Sequence, residues 1–154
     1  MRILIQRVKN ASVTIDGKEK SRISAGLLAL VGFCDGDKEE YIRPMAEKMA
    51  TLRIFEDENE KMNLSCMDID GEILAVSQFT LYADCSHGRR PSFTNAMKPD
   101  PANEYYEKFV KVLEEITGKE IKTGEFGADM KVELLNDGPV TILYDTDIWR
   151  KNGN

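Results

Sequence analysis

Histidine occurs once in this sequence of 154 residues and cysteine three times, with no C-x-x-C pair among Cys34, Cys66 and Cys85. A zinc site needs three or four ligands, so Cys85 and His87 do not make one, and an odd, scattered set of cysteines reads as free thiols in a reducing compartment. Long hydrophobic runs are missing too. The longest, residues 26–33, is far too short to cross a bilayer, and no basic-then-apolar leader precedes Ile3. The expectation is a cytoplasmic protein with no metal and no anchor. Positive charge is also scarce, with 21 Lys and Arg against 27 Asp and Glu, for a net charge of −6. Non-specific binding to nucleic acid requires clustered cations and is excluded, which leaves only local contact. Arg89, Arg90 and Lys98 form one candidate patch, with Arg7 and Arg53 elsewhere as contributors. The Gly-x-Gly-x-x-Gly and phosphate-loop patterns are absent, so no nucleotide-cofactor fold is expected, and no cofactor.

What is present is the composition of a folding domain: 42% apolar and 31% charged residues, enough to bury a core without disulfides. Residues 1–8 and 11–15 read as strands, and Asp16-Gly17 is a strong hairpin signal. Residues 26–33 lack polar alternation, as suits a central strand covered on both faces. Asp35-Gly36-Asp37 offers an N-cap to an amphipathic helix carrying Tyr41, Met45, Met49 and Leu52, started late or interrupted at Pro44. Residues 56–61 are a charge run that reads as a solvated loop. Residues 72–82 predict another strand, 86–101 a long ordered loop, and 102–117 a second helix with Tyr105, Phe109, Val112 and Ile116 on one face and Gly118 at its end. Three short strands follow, at 121–123, 130–135 and 140–144. The order predicts one α+β domain over residues 1–146 with a largely antiparallel sheet and two main helices, then a polar, mobile tail over 147–154.

Four segments can carry chemistry. In Ser77-Gln78-Phe79-Thr80-Leu81, strand alternation puts Ser77 and Phe79 on one side and Gln78 and Thr80 on the other. The hydroxyls invite a nucleophile reading, but His87 is the only histidine available to activate one, and plain strand polarity explains them as well. Asn136-Asp137-Gly138-Pro139-Val140-Thr141 is either a turn or a Gly-Pro peptide held cis, whose backbone carbonyls face a ligand. Gly88-Arg89-Arg90-Pro91-Ser92-Phe93 either meets phosphates or is solvated. In the stretch from Gly124 to Met130 the glycines allow close backbone approach, with Phe126 as a stacking surface or simply a core aromatic.

Taken together, these segments resemble the D-aminoacyl-tRNA deacylase family. The resemblance runs from Met1 to about Tyr144 and includes Gln6-Arg7-Val8, Lys61-Met62-Asn63-Leu64-Ser65 and the motifs at 77–81, 90–93, 126–130 and 136–141. It implies a barrel-like sheet, a homodimer with active sites at the subunit interface, and hydrolysis of the ester joining a D-amino acid to the terminal adenosine of tRNA. Ser77, Gln78, Phe79 and Thr80 would form the catalytic wall. Gly138 and Pro139, with their peptide cis, would enter from the other subunit and exclude an L side chain with backbone oxygens, while glycyl-tRNA mischarged on tRNA(Ala) would pass. Arg7 would brace that segment by donating to its carbonyls, and Phe126 and Met130 would contact substrate. The attacking group is left open between Thr80 and the ribose 2′-hydroxyl or a positioned water. Three rivals remain: a related deacylase with a trans Gly-Pro peptide that accepts L-alanine, a non-catalytic module that binds charged tRNA, and a serine or threonine esterase for small molecules.

Overall fold

The computed structural model describes residues 1–151. Strand β1 (Arg2–Ile15) alternates buried and half-buried residues along its first half, with Ile3 and Ile5 sealed inward. Asp16 and Gly17 both take positive φ (50° and 76°), the geometry that folds two strands back on each other in a two-residue turn. Strand β2 (Lys18–Ile23) therefore returns along β1. Strand β3 (Gly26–Gly32) pairs antiparallel with the first half of β1, with Ile3 opposite Val31 and Arg7 opposite Leu27. Helix α1 (Ile42–Ala50) follows, then a small hairpin of β4 (Phe55–Glu56) and β5 (Met62–Leu64). Next come β6 (Glu72–Ser77), helix α2 (Pro99–Thr117), β7 (Lys122–Thr123), β8 (Lys131–Asp145) and helix α3 (Thr146–Lys151).

The sheet order is β2-β1-β3-β6-β7, with β8 along the other edge of β1. Every pairing made by β1 is antiparallel, while β3 with β6 and β6 with β7 are parallel, so the sheet is largely antiparallel, as expected, with a parallel run on one side. The segments joining β3 to β6 and β6 to β7 carry α1 and α2, and a helical crossover is what permits parallel neighbours. Ser21 of β2 donates its hydroxyl to the Thr123 carbonyl of β7, drawing the sheet ends together into a nearly closed, barrel-like form.

Strand β3 has the covering expected of it. Leu27, Ala29 and Val31 face a core shared with Met45 and Met49 of α1 and Phe109 and Leu113 of α2. Leu28 faces a second cluster with Val8, Val13, Leu74 and Val76. Helix α2 starts at Pro99, whose missing N–H costs nothing in a first turn, and ends at Gly118 with φ 68°. Its buried stripe is Ala102, Tyr106, Phe109 and Leu113, and the expected Tyr105, Val112 and Ile116 pack half-buried against the same core.

Two expectations fail for tertiary reasons. Asp37 caps no helix: it accepts the Met1 ammonium at 2.6 Å and the Cys34 N–H at 2.8 Å. The polar tail begins instead as α3, where the Trp149 ring meets Tyr144 edge-on at 5.0 Å and takes the Lys48 ammonium over its face at 5.2 Å. The remainder of the expected tail, 152–154, lies outside the described residues. No helix among the described residues is long and apolar enough to cross a membrane.

Candidate active site

Strand β6 stops at Ser77, so the side-to-side alternation expected through Leu81 does not occur. Gln78 donates its N–H to Val31 at 2.8 Å and leaves the extended region (φ −148°, ψ 85°), and Phe79–Tyr82 coils into a 3-10 turn. Room for the bend is left on β3. Gly32 faces this bend, and a Cβ on it would stand 2.7 Å from the Gln78 carbonyl oxygen. Gln78 and Thr80, expected to share a strand face, meet through the turn instead: the Gln78 amide donates to Thr80 Oγ1 at 2.5 Å. Thr80 is exposed, Ser77 and Gln78 are half-buried, and Phe79 is 55% exposed with its ring edge-on to Phe93 at 5.1 Å.

These residues border a groove of about 610 Å³ that is lined by Ser77, Gln78, Phe79, Phe93, Met97, Lys98, Phe126 and Met130, among others. The far wall is built from the stretch after β7. Gly127 turns at φ 79°, and Gly124 leaves room for Met130, whose sulfur would stand 2.3 Å from a Cβ there. The close approach that glycine permits at Gly124 is thus to a side chain of the wall. Phe126 tilts against Tyr106 at 6.3 Å. Tyr106 donates its hydroxyl to the Ala75 carbonyl at 2.7 Å, and burial pushes its phenol up. An apolar groove with a few backbone and amide groups at one end suits a flat aromatic ligand with a polar tail.

Arg7, Gly138 and Pro139 are absent from this lining. Arg7 faces Leu27, which pairs with Ile73, while Ser77 pairs with Val31. Four residues of strand separate the two places, about 13 Å at the usual rise. The Arg7 guanidinium is buried (6% exposed) and donates to the Asp137 carbonyl at 2.8 Å and the Ile54 carbonyl at 2.7 Å. It braces the residue before Gly138 and not, as expected, the Gly-Pro carbonyls. The Gly138-Pro139 peptide is cis, and both residues are exposed.

The loop 85–91 is closed at its base by paired backbone hydrogen bonds between Asp84 and Ser92. His87 Nδ1 lies 2.8 Å from Ser86 Oγ, and that hydroxyl is also 2.6 Å from Asp84. The one histidine is therefore engaged within its own loop, and the partner of Thr80 is an amide donor in place of a base. Arg89 and Arg90 are exposed and make no ion pair among the described residues. Among the described residues no three His, Cys, Asp or Glu side chains cluster as a metal site would require.

Sequence reasoning thus finds five residues that the fold brings to one groove: Ser77, Gln78, Phe79, Phe126 and Met130. Thr80 joins them through Gln78, and Arg7, Gly138 and Pro139 form a separate cluster. It misses Gly32, whose only signal is a glycine closing an apolar run, and the part played by Asn136.

The chain matches the family model described as D-Tyr-tRNA(Tyr) deacylase over residues 4–145. It is 55% identical over 147 residues to the D-aminoacyl-tRNA deacylase of Halothermothrix orenii, covering 96% of this chain and 98% of that protein. To the protein of the same name from Flavobacterium johnsoniae it is 56% identical over 146 residues, covering 95% and 97%. A solved structure described as c-Myc DNA Unwinding Element Binding Protein is similar at a TM-score of 0.89 and 40% identity, covering 95% of this chain and 99% of that one. Another, of a probable eukaryotic D-amino acid tRNA deacylase, is alike in fold at a TM-score of 0.81 and 18% identity, covering 94% and 98%. By its sequence over nearly its whole length, this chain belongs to the D-Tyr-tRNA(Tyr) deacylase family of hydrolases.

Proposed function

We propose that this chain hydrolyses the ester bond of D-aminoacyl-tRNA, and of glycyl-tRNA mischarged on tRNA(Ala), in the cytoplasm as a homodimer. In this reading the terminal adenosine occupies the groove. The ester lies at its Ser77-to-Thr80 end, and Gly138-Pro139 of a second copy approaches that end. The observation that carries the proposal is the separation just described: Gly138 and Pro139 are exposed, absent from the groove lining, and follow the residue tied to Arg7, which itself lies about 13 Å along the strands from Ser77. A second copy supplies what one copy lacks. Strand β8 has β1 as its only strand neighbour among the described residues, and Leu135 (54% exposed) and Leu143 (48%) stand on it unburied. An unpaired edge with exposed leucines is a surface that another chain covers.

Chemistry follows from the groups at the wall. Backbone N–H groups of the 3-10 turn are suited to hold the ester carbonyl as negative charge develops on it. Thr80, already accepting from Gln78, keeps its own proton free to donate and orients the attacking water; the water oxygen bonds the ester carbonyl carbon, the bond from that carbon to the ribose oxygen breaks, and the water's proton passes to the leaving ribose oxygen with the neighbouring 2′-hydroxyl as relay. Chirality is selected by exclusion: backbone oxygens of Gly138 and Pro139 accept the substrate ammonium and leave no room for an L side chain. Arg89, Arg90 and Lys98 are the cations available to the phosphates that precede the adenosine.

The second reading, a module that binds nucleic acid without cleaving it, is favoured by the name of the similar solved structure, a DNA unwinding element binding protein. Incubation with a molar excess of D-tyrosyl-tRNA separates them. An enzyme releases many equivalents of free D-tyrosine per chain; a binding module releases none and protects the ester.

A further inference from the structure

The ladder between β1 and β8 has a large irregularity opposite Arg7. Gln6 faces Thr141 and Val8 faces Asn136, so a single residue of β1 is spanned by residues 137–140 of β8. Such an excursion strips backbone groups of the strand that would have paired with them, and they need other partners. The Asn136 carboxamide provides them from within β8. Its Oδ1 accepts the Val140 N–H at 2.8 Å, and its Nδ2 donates to the Val140 carbonyl at 3.1 Å. The same nitrogen lies 3.2 Å from Thr141 Oγ1. A carboxamide carries one acceptor and a donor on a single plane, so Asn136 pairs with Val140 as a residue on an antiparallel strand pairs with its opposite number.

The excursion is therefore held at two points. Arg7 fixes its entry at the Asp137 carbonyl, and Asn136 fixes its exit at Val140, which is buried at 9% exposure. Gly138 and Pro139 between them have no such tie among the described residues and are exposed. We propose that Asn136 is a positioning residue that sets how far and at what angle Gly138-Pro139 projects, and thereby sets discrimination between D and L esters. The proposal rests on the function given above. Rejection by a backbone oxygen is sensitive to displacements of an ångström or less, and a segment tied at one end only would swing by more than that.

The test uses Asn136→Ala and Asn136→Asp in the full chain. The aspartate keeps the size and the Val140 N–H acceptor but loses the donor, so it reports on the tie even where alanine does not fold. Two quantities are read: the ratio of kcat/KM for D-tyrosyl-tRNA to that for L-tyrosyl-tRNA, and hydrogen exchange of the Val140 amide by NMR. The expected result is faster Val140 exchange in Asn136→Ala and a D-to-L ratio lower by roughly tenfold, the scale of one or two lost neutral hydrogen bonds, with Asn136→Asp intermediate. An unchanged ratio in a folded variant, an equal loss on both esters, or Val140 exchange as slow as in the parent overturns the role. Should the parent cleave neither ester, the proposed function falls, and Val140 exchange alone then decides whether the tie exists.

Discussion

Arg7 on β1 and Asp137 on β8 are joined by a 2.8 Å hydrogen bond from Nε to the main-chain carbonyl, with the Asp137 carboxylate a further 3.8 Å contact. A second donor of the same guanidinium reaches Ile54 at 2.7 Å. One buried side chain thus ties the strand pair, the hairpin segment and the base of the Gly138-Pro139 projection. The planar fork holds its donors in fixed directions toward the two carbonyls, a pre-organisation that a freely rotating ammonium lacks. Arg7→Lys is expected to lower stability by about 2 kcal/mol in urea denaturation and to weaken ester discrimination. Retention of both would show that the tie has no role.

Gly32 and Gln78 are in comparable contact. A methyl group on Gly32 meets the Gln78 carbonyl at 2.7 Å and the Leu81 Cβ at 3.3 Å, and neither neighbour is a flexible side-chain end. Gly32→Ala is expected to cost about 1–3 kcal/mol through overpacking and to reduce turnover, because Gln78 and the groove wall move with it. Thermal melts and steady-state kinetics on one preparation check both halves.

Thr80 has the Gln78 amide as its partner and no base beside it among the described residues. Thr80→Ala is therefore expected to keep measurable hydrolysis, reduced by about tenfold, as befits a lost hydrogen bond. Removal of a true nucleophile costs on the order of 10⁶ in kcat, so complete loss in single-turnover assays would make Thr80 the attacking group.

Tyr82 is buried beneath the Arg2 guanidinium, which lies 4.4 Å from its ring centroid, and its hydroxyl makes no well-formed hydrogen bond among the described residues, with only the weakly bonding Cys34 thiol beside it. Burial, with Asp37 nearby, pushes its phenol upward. Tyr82→Phe keeps the ring and removes the orphan, so stability should hold or rise by up to about 1 kcal/mol. The pH dependence has a definite sign. A phenol raised in the fold contributes its stability fully below about pH 10, where an unfolded tyrosine ionises, and loses it as pH climbs further. The variant should show a shallower alkaline loss in denaturant titrations.

Legibility in the sequence followed locality. Asp16-Gly17 and the doubly covered β3 are readable because a turn type and an unbroken apolar run are local requirements. The end of β6 at Ser77 is not, since it depends on a missing Cβ across the sheet at Gly32. The parallel pairings of β3, β6 and β7 depend on where two crossovers set their helices, and the helix after Asp145 depends on Trp149 finding Tyr144. At the site, residue types and their order identify the groove wall. Which of those residues share one groove, and which stand at the far end of β3, follows only from register.

Cleavage of D-aminoacyl esters with refusal of L esters through Gly138-Pro139 is read out by matched D-tyrosyl-tRNA and L-tyrosyl-tRNA given to the parent chain and to Pro139→Ala. The expected result is a strong preference for the D ester in the parent, with slow but measurable cleavage of the L ester, and loss of that selectivity or of activity in the variant. Equal cleavage of both esters by the parent, or unaltered selectivity in the variant, would contradict it.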